Sequence, residues 1–167
     1  MADPTPAADA DKPSGVAYTL STQYVKDFSF ENPRAPHIYP LTAGKTPQVQ
    51  LSVSVSASQL SETLYESVLH LKAEAKHESD VVFVAELTYG GVVLAAVPIP
   101  AEHQKQVLLI EVPRQLFPFA RAILANATRD GGFMPLLLAP VDFAALHQQQ
   151  DAEIDREVRK LMGGEVA

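Results

Sequence analysis

The chain contains no cysteine, which excludes a disulfide framework and any metal site built on thiolates. Positive charge is also scarce: 13 Lys and Arg stand against 20 Asp and Glu, for a net charge of −7. That sign disfavours nucleic acid and anionic lipid as ligands and suits a basic protein partner. No stretch approaches the roughly 18 consecutive apolar residues of a membrane helix, so direct membrane insertion is not expected. Residues 1–15 lack the basic start and apolar middle of a signal peptide, and their Pro, Ala and Asp content builds no core. They are expected to be a disordered N-terminal tail. Residues 16–162 then form a single domain, and residues 163–167 a short flexible end. The absence of cysteine fits a cytoplasmic location.

Catalytic signatures are missing as well. The double glycines at 90–91 and 131–132 lack the context of a phosphate-binding loop, and no Gly-x-Ser-x-Gly elbow occurs. Histidines at 37, 70, 77, 103 and 147 show no metal-ligand spacing. An enzyme with an undetected site is the losing reading, and no cofactor is expected.

What is present begins with residues 25–40, Val-Lys-Asp-Phe-Ser-Phe-Glu-Asn-Pro-Arg-Ala-Pro-His-Ile-Tyr-Pro. Alternation places Phe28 and Phe30 on one face and Asp27, Ser29 and Glu31 on the other. Pro33, Pro36 and Pro40 then remove backbone donors, which predicts a stiff, extended crossover. Over the whole first strand, Tyr18, Leu20, Tyr24, Phe28 and Phe30 share one face and Ser21, Gln23, Asp27 and Glu31 the other. A second strand alternates Val49, Leu51, Val53 and Val55 with Gln and Ser. In a third, near 60–76, Tyr65, Leu69, Leu71 and Ala73 oppose Glu66, His70, Lys72 and Glu74. A polar connection at 77–80 leads to a fourth, 81–89, with Phe83, Ala85 and Leu87 inside and Val84, Glu86 and Thr88 outside. Gly90-Gly91 is expected to interrupt it as a bulge or bend.

Three helices are expected next. Pro100 opens one that Val112-Pro113 stops. Pro118 opens another, with a Phe119, Ile123, Ala127 stripe and a Gly131-Gly132 exit. Asp142 caps a third, from Phe143 to about Met162. Its stripe of Phe143, Leu146, Ile154, Val158 and Leu161 is thin, which suggests packing on another subunit. The fold class is α+β: four long antiparallel strands forming one sheet, followed by three helices packed on one side.

Asp27 and Glu31 lie about 13 Å apart along a strand, too far for a shared-proton dyad or for glycosidase chemistry. Two readings remain for them: a solvated face, or a docking face for a basic partner that Glu86 joins if its strand is a neighbour. Val49, Leu51, Val53 and Phe83 pose the parallel choice between core and an apolar groove left open by short helices.

Residues 25–37 strongly resemble the SecB family of bacterial protein-export chaperones. Ser58-Gln-Leu60, Tyr65-Glu66, Phe83-Val-Ala-Glu86, Tyr89-Gly-Gly91, Leu116-Phe-Pro-Phe-Ala-Arg121 and Pro135-Leu-Leu-Leu-Ala-Pro-Val-Asp-Phe143 agree in order and spacing. The resemblance spans about residues 16–150; residues 151–167 depart from it. It implies a homotetramer, a dimer of dimers, acting as an ATP-independent holdase. Such a chaperone binds unfolded precursor proteins and delivers them to the SecA ATPase for export across the inner membrane. It further implies that Asp27, Glu31 and Glu86, with Val84 beside Glu86, dock the basic, zinc-binding C-terminal tail of SecA. The zinc belongs to that partner. The groove candidates are Val49, Leu51 and Val53, with Phe83. A SecB-like chaperone serving a toxin–antitoxin system is the rival implied by the same fold.

Overall fold

Four long strands dominate the computed structural model, which describes residues 13–163. They are β1 (Tyr18–Glu31), β2 (Gln48–Gln59), β3 (Leu64–His77) and β4 (Asp80–Ala95), all antiparallel, in the spatial order β1-β4-β3-β2. β3 and β4 form a central hairpin across Glu78-Ser79, where Glu78 takes φ 56° to close the tight turn. Their alternation is the one the sequence predicts. Tyr65, Leu69, Leu71, Ala73, Phe83, Ala85 and Leu87 are buried on one face, while Lys72 and Glu86 stand exposed on the other.

β1 corrects the sequence reading in its middle. Register shifts between Leu20 and Thr22 and between Val25 and Asp27 insert Ser21 and Lys26 as extra residues. Each bulge inverts the parity of the side chains beyond it. Gln23 and Tyr24 therefore exchange the faces that strict alternation assigns them, and Tyr24 joins the solvent side with Asp27. The second bulge restores the pattern, so Phe28 and Phe30 again oppose Asp27 and Glu31.

Gly90-Gly91 does not interrupt β4, which runs on to Ala95. A Cβ at Gly90 would lie 2.8 Å from the Tyr24 ring, and one at Gly91 would lie 2.7 Å from Leu20 and 2.9 Å from Leu116. The two glycines let side chains approach the strand from both faces.

The crossover after β1 is not extended throughout. Its Ala35–Pro36 peptide is cis, and Ile38–Thr42 forms a one-turn helix, α1, that buries Ile38. Pro40 is tolerated there because amides of a first helical turn have no intrahelical acceptor.

The helical layer corrects a second expectation. α2 (Ala101–Lys105), a π-helical stretch (Gln106–Glu111) and α3 (Val112–Asp130) follow one another without a break. Pro113 does not stop the run. In the π-helical stretch the Val112 amide donates to Val107 O, five residues back. The same spacing would aim residue 113 at Leu108 O, but proline has no N–H. Ser67, wholly buried on β3, fills the vacancy: its hydroxyl donates to Leu108 O at 2.6 Å.

Val112, Leu116, Phe117, Ala120 and Leu124 face the sheet from α3. The expected stripe lies to the side, with Phe119 53% exposed. The exit is as predicted: Gly132 takes φ +87°, the Phe133 amide reaches back to Thr128 O, and the Gly132 amide reaches Arg129 O. α4 (Phe143–Gly163) is capped by Asp142, whose carboxylate accepts from the Ala145 amide at 3.0 Å. Phe143 is buried edge-to-face against Phe117. Ile154, Val158 and Leu161 are exposed at 58%, 44% and 79%, so most of the expected stripe has no cover among the described residues.

Residues 1–12 of the expected tail lie outside the described residues, as do residues 164–167. Ser14, just before β1, donates its amide to Glu111 at 2.5 Å. Among the described residues no helix is long and apolar enough to cross a membrane.

Ser67→Ala is expected to cost about 1–3 kcal/mol by orphaning the Leu108 carbonyl, read as a lower urea midpoint at unchanged slope. Adding Pro113→Ala supplies an amide at the vacant position and should recover part of the loss.

Candidate functional site

The register across all four strands builds the polar face row by row. Asp27 pairs with Thr88, which pairs with His70 and then Ser54; the next row reads Ser29, Glu86, Lys72, Ser52; the third reads Glu31, Val84, Glu74, Gln50. Adjacent strands lie about 4.8 Å apart. Asp27, Glu31, Val84 and Glu86 thus occupy one patch on neighbouring strands, which sequence spacing alone does not establish. Beside it is a depression of about 200 Å³ lined by Asp27, His70, Lys72, Glu86 and Thr88.

The patch carries cations as well. Lys72 Nζ lies 2.6 Å from Glu86 Oε1, and Lys76 Nζ lies 2.6 Å from Glu74 Oε1. The hydrogen bond to Glu86 raises the Lys72 ammonium above its ordinary pKa, with smaller contributions from Glu74 and Glu31. Lys76 lowers the Glu74 carboxyl by its hydrogen bond and its charge. Lys72 and Glu74 were legible as polar residues of the third strand; their place in this patch depends on a strand order that no local pattern reveals.

Further along the same face, the displaced Tyr24 hydroxyl donates to Glu66, and Lys26 donates to both Glu66 oxygens at 2.8 and 3.1 Å. Burial and then the Glu66 hydrogen bond raise the Tyr24 phenol to about 12. The Lys26 and Tyr24 hydrogen bonds hold the Glu66 carboxyl below its usual range.

The opposite face carries the apolar candidates. The helices cover β3 and β4 but leave the edge strand β2 partly bare: Val49 is 41% and Leu51 36% exposed. Val53, further along, is half-buried against the main core. A cleft of about 630 Å³ opens where β2 meets the crossover and the loop after α3, lined by Val49, Phe83, Tyr39, Lys45, Phe133, Met134 and Leu137 among others. Phe83 is its floor rather than its rim, being only 4% exposed. It packs between Phe30 at 5.8 Å and Phe133 at 5.4 Å, and Phe133 reaches Tyr39 at 5.5 Å. The Tyr39 hydroxyl donates to Gly131 O at 2.9 Å, pinning crossover to helix exit. The structure therefore places Val49 and Phe83 in the cleft, with Leu51 next along β2. Tyr39, Phe133, Met134 and Leu137 are lining residues the sequence reading missed; a run of apolar residues after Gly132 was the signal for the last three, and Tyr39 stands in the proline-rich crossover.

One helical layer over the middle of the sheet, an apolar cleft open beside it and a charged reverse face make up the geometry of the chain. A family model described as preprotein translocase subunit SecB matches residues 11–154. The protein-export protein SecB of Bradyrhizobium sp. is 49% identical over 127 residues, covering 76% of this chain and 77% of that one. That of Rhodospirillum rubrum is 45% identical over 150 residues, covering 90% of each. In fold, the chain is similar to the Mycobacterium tuberculosis SecB-like chaperone solved with an antitoxin peptide. There the TM-score is 0.59 at 13% identity, over 74% of this chain and 90% of that one. The chain belongs to the SecB family of protein-export chaperones.

The raised phenol gives a pH signature. Between pH 10, where the unfolded tyrosine ionises, and about 12, where folded Tyr24 does, the unfolded chain has already lost the proton that the folded chain retains. Stability should fall as pH rises through that window. Tyr24→Phe should lessen the fall and reduce the tyrosinate absorbance that develops near pH 12; burial and Glu111 raise the Tyr18 phenol as well, so part of the fall remains.

Proposed function

We propose that this chain is an ATP-independent holdase of the cytoplasm that keeps precursor proteins unfolded and delivers them to SecA for export. The observation that carries the reading is the separation of chemistries on one sheet. Asp27, Glu31 and Glu86 share the polar face with Val84, which pairs with Glu31, and the apolar cleft opens on the other. The acidic patch suits a basic SecA tail, since such charges steer encounter and set register. The cleft suits extended apolar segments of clients.

Holding requires no bond chemistry. Each client segment withdrawn from water contributes roughly 25 cal/mol per Å² before ordering costs. Several clefts on one assembly multiply weak contacts through effective concentration, which retains a slow-folding chain and releases a compact one. A homotetramer would supply those clefts, and the exposed stripe of Ile154, Val158 and Leu161 on α4 fits a helix with a subunit against it. Export is favoured over toxin–antitoxin service because the relatives at 45–49% identity carry the export name, whereas the antitoxin-bound chaperone shares the fold at 13%.

Asp27→Ala with Glu86→Ala should weaken SecA binding about two- to thirtyfold at low salt, at ~0.2–1 kcal/mol for each exposed pair, while client holding persists. Unchanged SecA affinity in titration calorimetry would remove the polar face from the reading.

Leu51→Asp should abolish suppression of client aggregation in light scattering at unchanged native mass, because Leu51 is already 36% exposed. Full suppression by this variant would move the client site away from β2.

A further inference from the structure

On the polar face, one cation stands where a basic partner's cation would have to go. Lys72 pairs directly across the strands with Glu86, and its ammonium lies 2.6 Å from Glu86 Oε1. The fields of Glu74 and Glu31 reach it as well. Neither side chain of the pair is anchored by burial: Lys72 is 52% and Glu86 48% exposed. An exposed pair of this kind is weak, held against side-chain entropy and solvent screening. A single rotamer change of the lysine would free the carboxylate.

We propose that Lys72 is a tethered competitor that occupies Glu86 in the unbound protein and must leave it before a basic partner takes that carboxylate. The inference rests on the docking reading above and deepens it: Lys72 sets how tightly the face binds, without itself recognising the partner. Asp27 and Glu31 lie one row to either side of Glu86 on β1, both exposed, so a partner that reaches Glu86 is also within reach of them. The exchange at Glu86 then replaces an internal ion pair by an intermolecular one. Glu86 is therefore satisfied at rest, and the face is not a bare negative patch for any polycation. That arrangement gives selectivity, because a ligand with one or two charges gains little from displacing Lys72, whereas one that also engages Asp27 and Glu31 gains the whole set.

The test uses the full-length chain and purified SecA. Lys72→Met keeps the length of the side chain and removes its charge. It should tighten SecA binding about two- to fivefold at low ionic strength, with the gain vanishing as salt screens both states. Lys105→Met is the control for net charge alone, since Lys105 sits in the helical layer near Asp151; it should leave affinity unchanged. In a Glu86→Gln background, Lys72→Met should lose its effect, because no carboxylate remains to be uncovered. Unaltered or weaker binding by Lys72→Met overturns the inference, as does equal tightening by Lys105→Met or a gain that persists without Glu86. Failure of the docking reading looks different: Asp27→Ala and Glu31→Ala would then leave SecA affinity unchanged, and the inference falls with it.

Discussion

The structure depends on a mismatch of widths: one helical layer covers a sheet of four strands, each at least 12 residues long. The α2 to α3 run lies over β3 and β4, where the deepest core forms. What that layer does not reach stays open. β2, at the sheet edge, keeps Val49 and Leu51 in solvent, and the cleft is the space left between that strand and two loops. A wider helical layer would convert the cleft into core.

That layer is held to the sheet by a polar contact as well as by packing. A run of helix carrying Pro113 has a carbonyl without a donor, which is costly in a dry interior. The π-helical register moves the deficit to Leu108, and Ser67 answers it from β3. The hydroxyl sits among buried apolar neighbours on the strand's inner face, so it can serve only one seating of the helix. Burial drives the helix onto the sheet, and this bond fixes where along the sheet it rests.

Much of this was legible in the residues, and the misses have physical causes. β3 and β4 alternate without fault over long stretches, so their faces, the hairpin and the positions of Val84 and Glu86 could be read directly. β1 could be read at its ends only, because the bulges at Ser21 and Lys26 leave no compositional mark and invert Tyr24 between them. Pro113 reads as a stop because local rules count only its missing amide and cannot see a serine from another element replacing it. The acidic residues were visible one strand at a time. Their assembly into a patch required the order β1-β4-β3-β2, in which β1 lies beside the last strand of the sheet. The aromatic floor of the cleft was dispersed over positions 30, 39, 83 and 133, too far apart for any window to join.

The period of a strand then constrains how the two faces work together. On β4, Val84 and Glu86 point to the polar side while Phe83, Ala85 and Leu87 point to the core. Neighbouring residues of one backbone thus serve both faces, yet their side chains never meet. A partner seated on the polar face under the proposed reading leaves the cleft sterically free, so docking and client holding are compatible at the same moment. The close packing between the faces also limits direct mechanical coupling, since Ala73, Ala85 and Leu87 lie in a filled interior. Release of a client is then better served by the partner's competition for the exposed segment than by a signal through the sheet. Under that reading the charged face would need only to hold the partner near, and its weak, screened ion pairs suit contacts that form and part repeatedly.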